Sequence, residues 1–186
     1  MRHAWCIALL LLAICACSGK IGRSRYKEDL LAQINSADRI VVTEHSDESD
    51  AGFDDNRHQW RLKSEIVYRT RVLSQLQTQR LRTVITDMDP APKDYELACT
   101  TEVHHSITFY GQGKQLSKMD ICFACGHVLW PASRAALPLS LVKTLDAFMH
   151  DIGLEPKRDW YALALPHLPP QAASLTTPAD PGKPRP

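Results

Sequence analysis

The chain has almost no excess of charge: 22 Lys and Arg stand against 21 Asp and Glu, a formal net charge of +1. Arg2 is the one basic residue of the first 16 residues, so removing that stretch leaves 21 against 21. A balanced chain has no electrostatic footprint for nucleic acid, and that partner class is excluded. A membrane-spanning run is also lacking. The longest apolar stretch, Ala4 to Ile14, falls well short of the roughly 20 residues a spanning helix needs. Cysteine is missing from most of the body: past residue 17 the only ones are Cys99, Cys122 and Cys125, an odd number.

The short apolar run is informative in its own right. Arg2 followed by Ala4 to Ile14 reads as a secretory signal peptide over residues 1–16. Ile14-Cys15-Ala16-Cys17 resembles the lipobox of bacterial lipoproteins, with an aliphatic residue at −3, a small one at −1 and then the cysteine to be acylated. The resemblance implies that Cys17 becomes the mature N-terminus and carries diacylglycerol and an N-linked palmitate-type chain. Two or more buried chains anchor where one is marginal. It implies a protein anchored to the cell membrane and facing the periplasm, with the lipid bilayer as first partner. Ser18 in place of Asp favours the outer membrane in a Gram-negative host. Residues 17–24 then form a lipidated tether. In that compartment thiols tend to oxidise and disulfides persist.

The body, 25–165, reads as one α+β domain: an antiparallel sheet of about four strands with about three helices. Tyr26, Leu30 and Ile34 repeat at four-residue steps and predict a first helix over 25–36. Arg39 to Thr43 is β-branched and predicts a central strand. Glu44 to Asn56 holds six acids and no Lys or Arg, yet misses the EF-hand spacing, and reads as a solvated loop. Trp60 to Leu73 alternates, with Trp60, Leu62, Ile66, Tyr68 and Val72 on an expected core face. Arg61, Lys63, Arg69 and Arg71 fall on a wet one, open to an anionic glycan or lipid headgroup.

Ser74-Gln75-Leu76-Gln77 is a capping box, and the helix it starts ends at Asp89-Pro90. Ser106 to Gly111 and Gln115 to Phe123 form a hairpin about Gly111-Gln112-Gly113-Lys114. Leu139 to Ile152 is a third helix closed by Gly153. Trp160 to Leu165 is expected to dock back on the body. From Pro166 the chain holds 7 of its 12 prolines, and 166–186 reads as a disordered tail.

The residues able to carry chemistry fall between Cys99 and His127, spaced C-x4-H-H-x16-C-x2-C-x-H. The two ends of a hairpin are neighbours in space, so Cys99, His105, Cys122 and Cys125 should converge, with His104 and His127 as accessory residues. Three readings stay open. A disulfide from Cys99 to either partner would close the hairpin base. A Cys3His site would hold zinc, or less readily copper(I), since Cys-Phe-Ala-Cys-Gly-His is similar to a zinc knuckle. A C-x-x-C pair would do thiol–disulfide chemistry, although a strand precedes it where a helix N-terminus is wanted. Gly126 after Cys125 breaks the covalent-haem motif, and no catalytic residue is assigned.

The helix with S-x-x-Q, then Cys99, His105-Ser106-Ile107-Thr108-Phe109 and Ile121-Cys122-Phe123-Ala124-Cys125 resembles a group of small bacterial secreted proteins and lipoproteins. The resemblance covers Tyr68 to Trp130, about a third of the chain, and implies no known activity. The function expected is a non-catalytic envelope binding or scaffold module whose partner is a protein or an envelope glycan.

Overall fold

The computed structural model describes residues 25–51, 62, 64–93 and 99–168. The signal peptide, Cys17, the tether, Trp60 and the Pro-rich stretch from 169 onward lie outside the described residues. The architecture is α+β: among the described residues, five antiparallel strands lie in the order β2-β1-β3-β4-β5 with four helices. The strands are β1 (Arg39–His45), β2 (Val67–Val72), β3 (His105–Gly111), β4 (Lys114–Cys122) and β5 (His127–Leu129).

Register fixes which side chains share a face. Val42 lies opposite Ile107, and Ile107 opposite Met119; Ile121 lies opposite both His105 and Val128. Ile40, Val42, Ile107, Phe109, Met119, Ile121 and Val128 therefore line one face, and all are buried. Three helices cover that face: α1 over residues 25–36, α2 (Gln75–Asp87) and α3 (Leu141–Asp151). Tyr26, Leu30 and Ile34 of α1, Leu81 and Ile85 of α2, and Leu141, Leu145 and Phe148 of α3 complete a single core. Each such side chain contributes about 1.5–3 kcal/mol on burial.

Local signals behave as expected. Ser74 N–H donates to Gln77 Oε1 at 2.9 Å and Gln77 N–H to Ser74 Oγ at 3.3 Å, the reciprocal capping box of α2. Gly153, at φ +75°, ends α3 as Leu154 N–H turns back to the Met149 carbonyl at 2.9 Å. The β3–β4 turn is two residues long, with Gln112 at φ 52° and Gly113 at φ 74°. Positive φ at both positions is the hairpin turn whose twist matches the strands, and Gln is a poor occupant of the first. Gln112→Asn should raise stability by about 0.5–1 kcal/mol, read as a Tm increase of about 1–4 °C. An unchanged or lower Tm would mean that the turn carries no such cost.

The α+β sheet of about four strands is as expected, its fifth member being the short β5, which pairs with β4 through Cys122–His127 and Ile121–Val128. Three expectations need correction. First, β2 is an edge strand beginning at Val67, and its faces are the reverse of those expected. Val72, expected inside, is 59% exposed, and Leu73, next to the arginines on the expected wet face, is buried, while Arg69 and Arg71 lie opposite Glu44 and Val42, on the helix side. Alternation reports two faces without saying which is inner. The Arg69 guanidinium donates to the Gly153 carbonyl and Arg71 Nε to the Ile152 carbonyl, both at 3.4 Å, at the C-terminal end of α3 where cations are favoured.

Secondly, the acidic stretch is not simply a loop. β1 runs through His45, and Glu48–Ala51 forms a 3-10 turn. Lastly, Pro166, expected to open the tail, sits in a second 3-10 turn, Leu165–His167, and Leu168 is buried against Leu62 and Leu165. That turn follows the short helix α4 (Trp160–Ala164), which Asp159 caps by accepting from Ala162 N–H at 2.9 Å.

Candidate functional site

The core face of the sheet turns polar at one end. Along β1 the inward series Ile40, Val42 continues to Glu44, fully buried, and its cross-strand partner on β3 is His105, also fully buried. A buried carboxylate requires a cation. Two arginines supply it: Arg158 Nη1 lies 3.1 Å and Arg69 Nε 3.4 Å from Glu44 Oε2. Glu44 Oε1 has no partner among the described residues. The Arg158 guanidinium also lies over the Trp160 ring, 5.9 Å from its centroid.

Trp160 organises the rest. The His104 ring stacks on it at 4.3 Å with an interplanar angle of 4°, and the His105 ring meets it edge-on at 5.5 Å. Tyr68 stacks at 6.2 Å on the same indole. His104 Nε2 lies 2.7 Å from Asp50 Oδ1, both side chains being under a tenth exposed. Asp47 holds the entry to β3 by accepting from Val103 N–H at 3.0 Å. Burial pushes the Asp47 carboxyl up, but the Ser49 backbone and hydroxyl and the Val103 N–H outweigh it and hold the group below its usual range. The C-terminal segment is thus strapped across the sheet end by one ion pair and one indole.

His105 is the titrating element of this cluster. Burial first, then the charges of His104 and His45, push its pKa down to about 3, only partly offset by the Glu155 backbone. Its ring packs edge-on against Phe123 at 5.0 Å, and neither nitrogen makes a close hydrogen bond. The folded state therefore keeps His105 neutral while the unfolded chain protonates it near 6.5. Its contribution is fully present above about pH 6.5 and is lost as the pH falls towards 3. The slope is about 1.4 kcal/mol per pH unit across that window. Urea midpoints of the parent and of His105→Leu should diverge in their pH dependence between 6.5 and 4, the variant falling less. Parallel curves would contradict a buried neutral His105.

The cysteines resolve differently from the residues around them. Cys99 and Cys125 are joined in a disulfide with their Cα atoms 5.9 Å apart, and Cys122 is a buried thiol. The bond ties the segment entering β3 to the β4–β5 turn, closing the base of the hairpin. Both sulfurs lie near the Thr100 carbonyl, at 3.4 Å for Cys99 and 3.0 Å for Cys125. Cys125 N–H donates to Cys122 Sγ at 3.3 Å.

The expected convergence of Cys99, His105, Cys122 and Cys125 is met only by the first and last of these with Cys122 beside them. His105 pairs with Ile121 across the sheet, so Cys122, the next residue, projects from the reverse face. His127 is half-buried on β5 opposite Cys122. Among the described residues, no group of three or more His, Cys, Asp or Glu side chains is arranged to hold a metal ion. On the reverse face a cavity of about 310 Å³ is lined by His45, Asp47, Glu65, Lys118 and Asp120 among others. Lys118 pairs with Asp120 at 3.0 Å.

Asp50, Glu44, Arg158 and Trp160 did not stand out in the sequence as site residues, and Arg69, read there as part of a wet basic face, pairs with Glu44 instead. One signal was available: Glu44 continues the inward alternation of Ile40 and Val42, and an acid at an inward position demands a cation. No family model, curated protein or solved structure matches the chain.

Proposed function

We propose that the chain is a lipid-anchored lipoprotein of the bacterial envelope acting as a non-catalytic binding or scaffold module. The observation that carries this reading is the Cys99–Cys125 bond. A disulfide closing the base of a hairpin belongs in an oxidising compartment. The leader, with Ile14-Cys15-Ala16-Cys17, points to the same side of the membrane. The polar groups at the sheet end also support a structural role. His104 is engaged by Asp50, Glu44 by two arginines, and Trp160 lies across both histidines. A protein or envelope glycan is the partner class, met by surface outside this cluster.

Holding zinc or copper(I) would need Cys99 and Cys125 as free thiolates and His105 turned away from Phe123 and Trp160. The donor set of the folded chain therefore does not fit that group. The test is the N-terminus itself. Protein expressed in a bacterial host and extracted from membranes should begin at Cys17 and carry the mass of three acyl chains. Cys17→Ala should move it to the soluble envelope fraction. An uncleaved Met1, or a Cys17→Ala variant that stays in the membrane, would overturn the reading.

A further inference from the structure

The cysteine cluster holds a bond and a thiol side by side, and the two differ sharply in exposure. Cys122 is 1% exposed and beyond the reach of external reagents, whereas Cys99 is exposed. Cys125 stands between them. It is bonded to Cys99, and its own N–H donates to Cys122 Sγ at 3.3 Å. Residues 123–126 form a tight turn, with Gly126 at φ 60° helping to reverse the chain. Two cysteines three positions apart across such a turn have the Cα separation that a disulfide requires.

We infer that Cys122 is an internal exchange partner that turns Cys99 into an exposed, modifiable thiol. The Cys122 thiolate attacks Cys125 Sγ; the Cys122–Cys125 bond forms and the Cys99–Cys125 bond breaks. The proton lost by Cys122 is matched by one taken up by Cys99. The chain holds one disulfide and one thiol before and after, so nothing is oxidised or reduced and no co-reactant is needed. Cys122 needs no access to solvent to reach its target, which lies in the same turn, and each opening of the turn that hydrates Cys122 lets its thiolate form.

Exchange changes what is accessible. The exposed Cys99 thiol then stands where a partner's thiol or disulfide, or a small-molecule disulfide, can form a mixed disulfide with it. It also frees the segment from Cys99 to His104, which carries Val103 to Asp47 and His104 to Asp50 and Trp160. The device therefore couples a thiol swap to the entry of β3.

The test uses the full-length protein, folded, without reductant and with a chelator, exposed to a bulky water-soluble maleimide at pH 8 and then digested without reduction. The expected result is labelling that approaches one per chain, found on Cys99, with a Cys122–Cys125 linked peptide appearing in step. Cys122→Ser should lower the Cys99 labelling rate at least tenfold while keeping the Cys99–Cys125 link. Cys99→Ser should fold with a Cys122–Cys125 bond and no free thiol. Because Cys99→Ser also removes a bond from the hairpin base, Cys122→Ser keeps the proposal testable if that variant fails to fold. Cys99 labelling at the same rate in Cys122→Ser, or label confined to Cys122 in the parent, would overturn the inference.

Discussion

Removing the Cys99–Cys125 bond should cost about 3.5 kcal/mol, the closure entropy of a loop spanning 26 residues. The loss arises in the unfolded chain, which gains freedom, more than in contacts of the folded one. Cys125→Ser is the sharper variant. It removes the cysteine common to the native bond and to the Cys122–Cys125 pair, whereas Cys99→Ser leaves that pair able to bond. The urea midpoint of Cys125→Ser should therefore fall more than that of Cys99→Ser. Reduction of the parent protein should reproduce the larger shift. Equal stability of oxidised and reduced protein would remove the structural role assigned to the bond.

The second large effect belongs to Arg158. Glu44 is fully buried, and its Oε2 relies on Arg158 at 3.1 Å and on the more exposed Arg69 at 3.4 Å. Arg158→Ala should cost about 3 kcal/mol, because it leaves a desolvated carboxylate with a single, more solvent-exposed cation, Arg69. It should also release α4, so that Trp160 moves towards water and its emission shifts to the red. Trp160→Phe in the same background identifies that signal among the remaining indoles. Adding Glu44→Gln removes the stranded charge, and the double variant should lose clearly less than the sum of the two single ones. Additive losses would show that the pair does not act as one unit.

The fold class and most elements were legible because their signals are local. The Ser74–Gln77 box, the stripe Tyr26, Leu30, Ile34 and the Gly113 turn each involve residues a few positions apart. The hairpin geometry brought Cys99 near Cys122 and Cys125, but the sequence left open whether they form a disulfide, hold a metal or do thiol–disulfide chemistry, and which pair would bond. The strand β5 escaped notice because three residues, His127 to Leu129, are too few to show a period. For β2 the alternation was plain, but its inner face was misjudged. An edge strand can turn arginines inward when a buried acid and the carbonyl end of a helix await them.

The sheet-end cluster was hidden for a different reason. Asp50 and His104 are 54 positions apart, and Arg158 and Glu44 are 114 apart. Nothing in local periodicity reports such contacts. His104 and His105 were visible as candidates, but their partners became evident only once β1, β3 and α4 met.

The most direct test of the account is a peptide map of acid-trapped protein from bacterial membranes, alkylated under denaturing, non-reducing conditions. The expected main species is a linked peptide joining Cys99 to Cys125, with the alkyl group on Cys122 and on no other body cysteine. Alkylation of all three body cysteines, or a main species in which Cys122 is bonded, would contradict it.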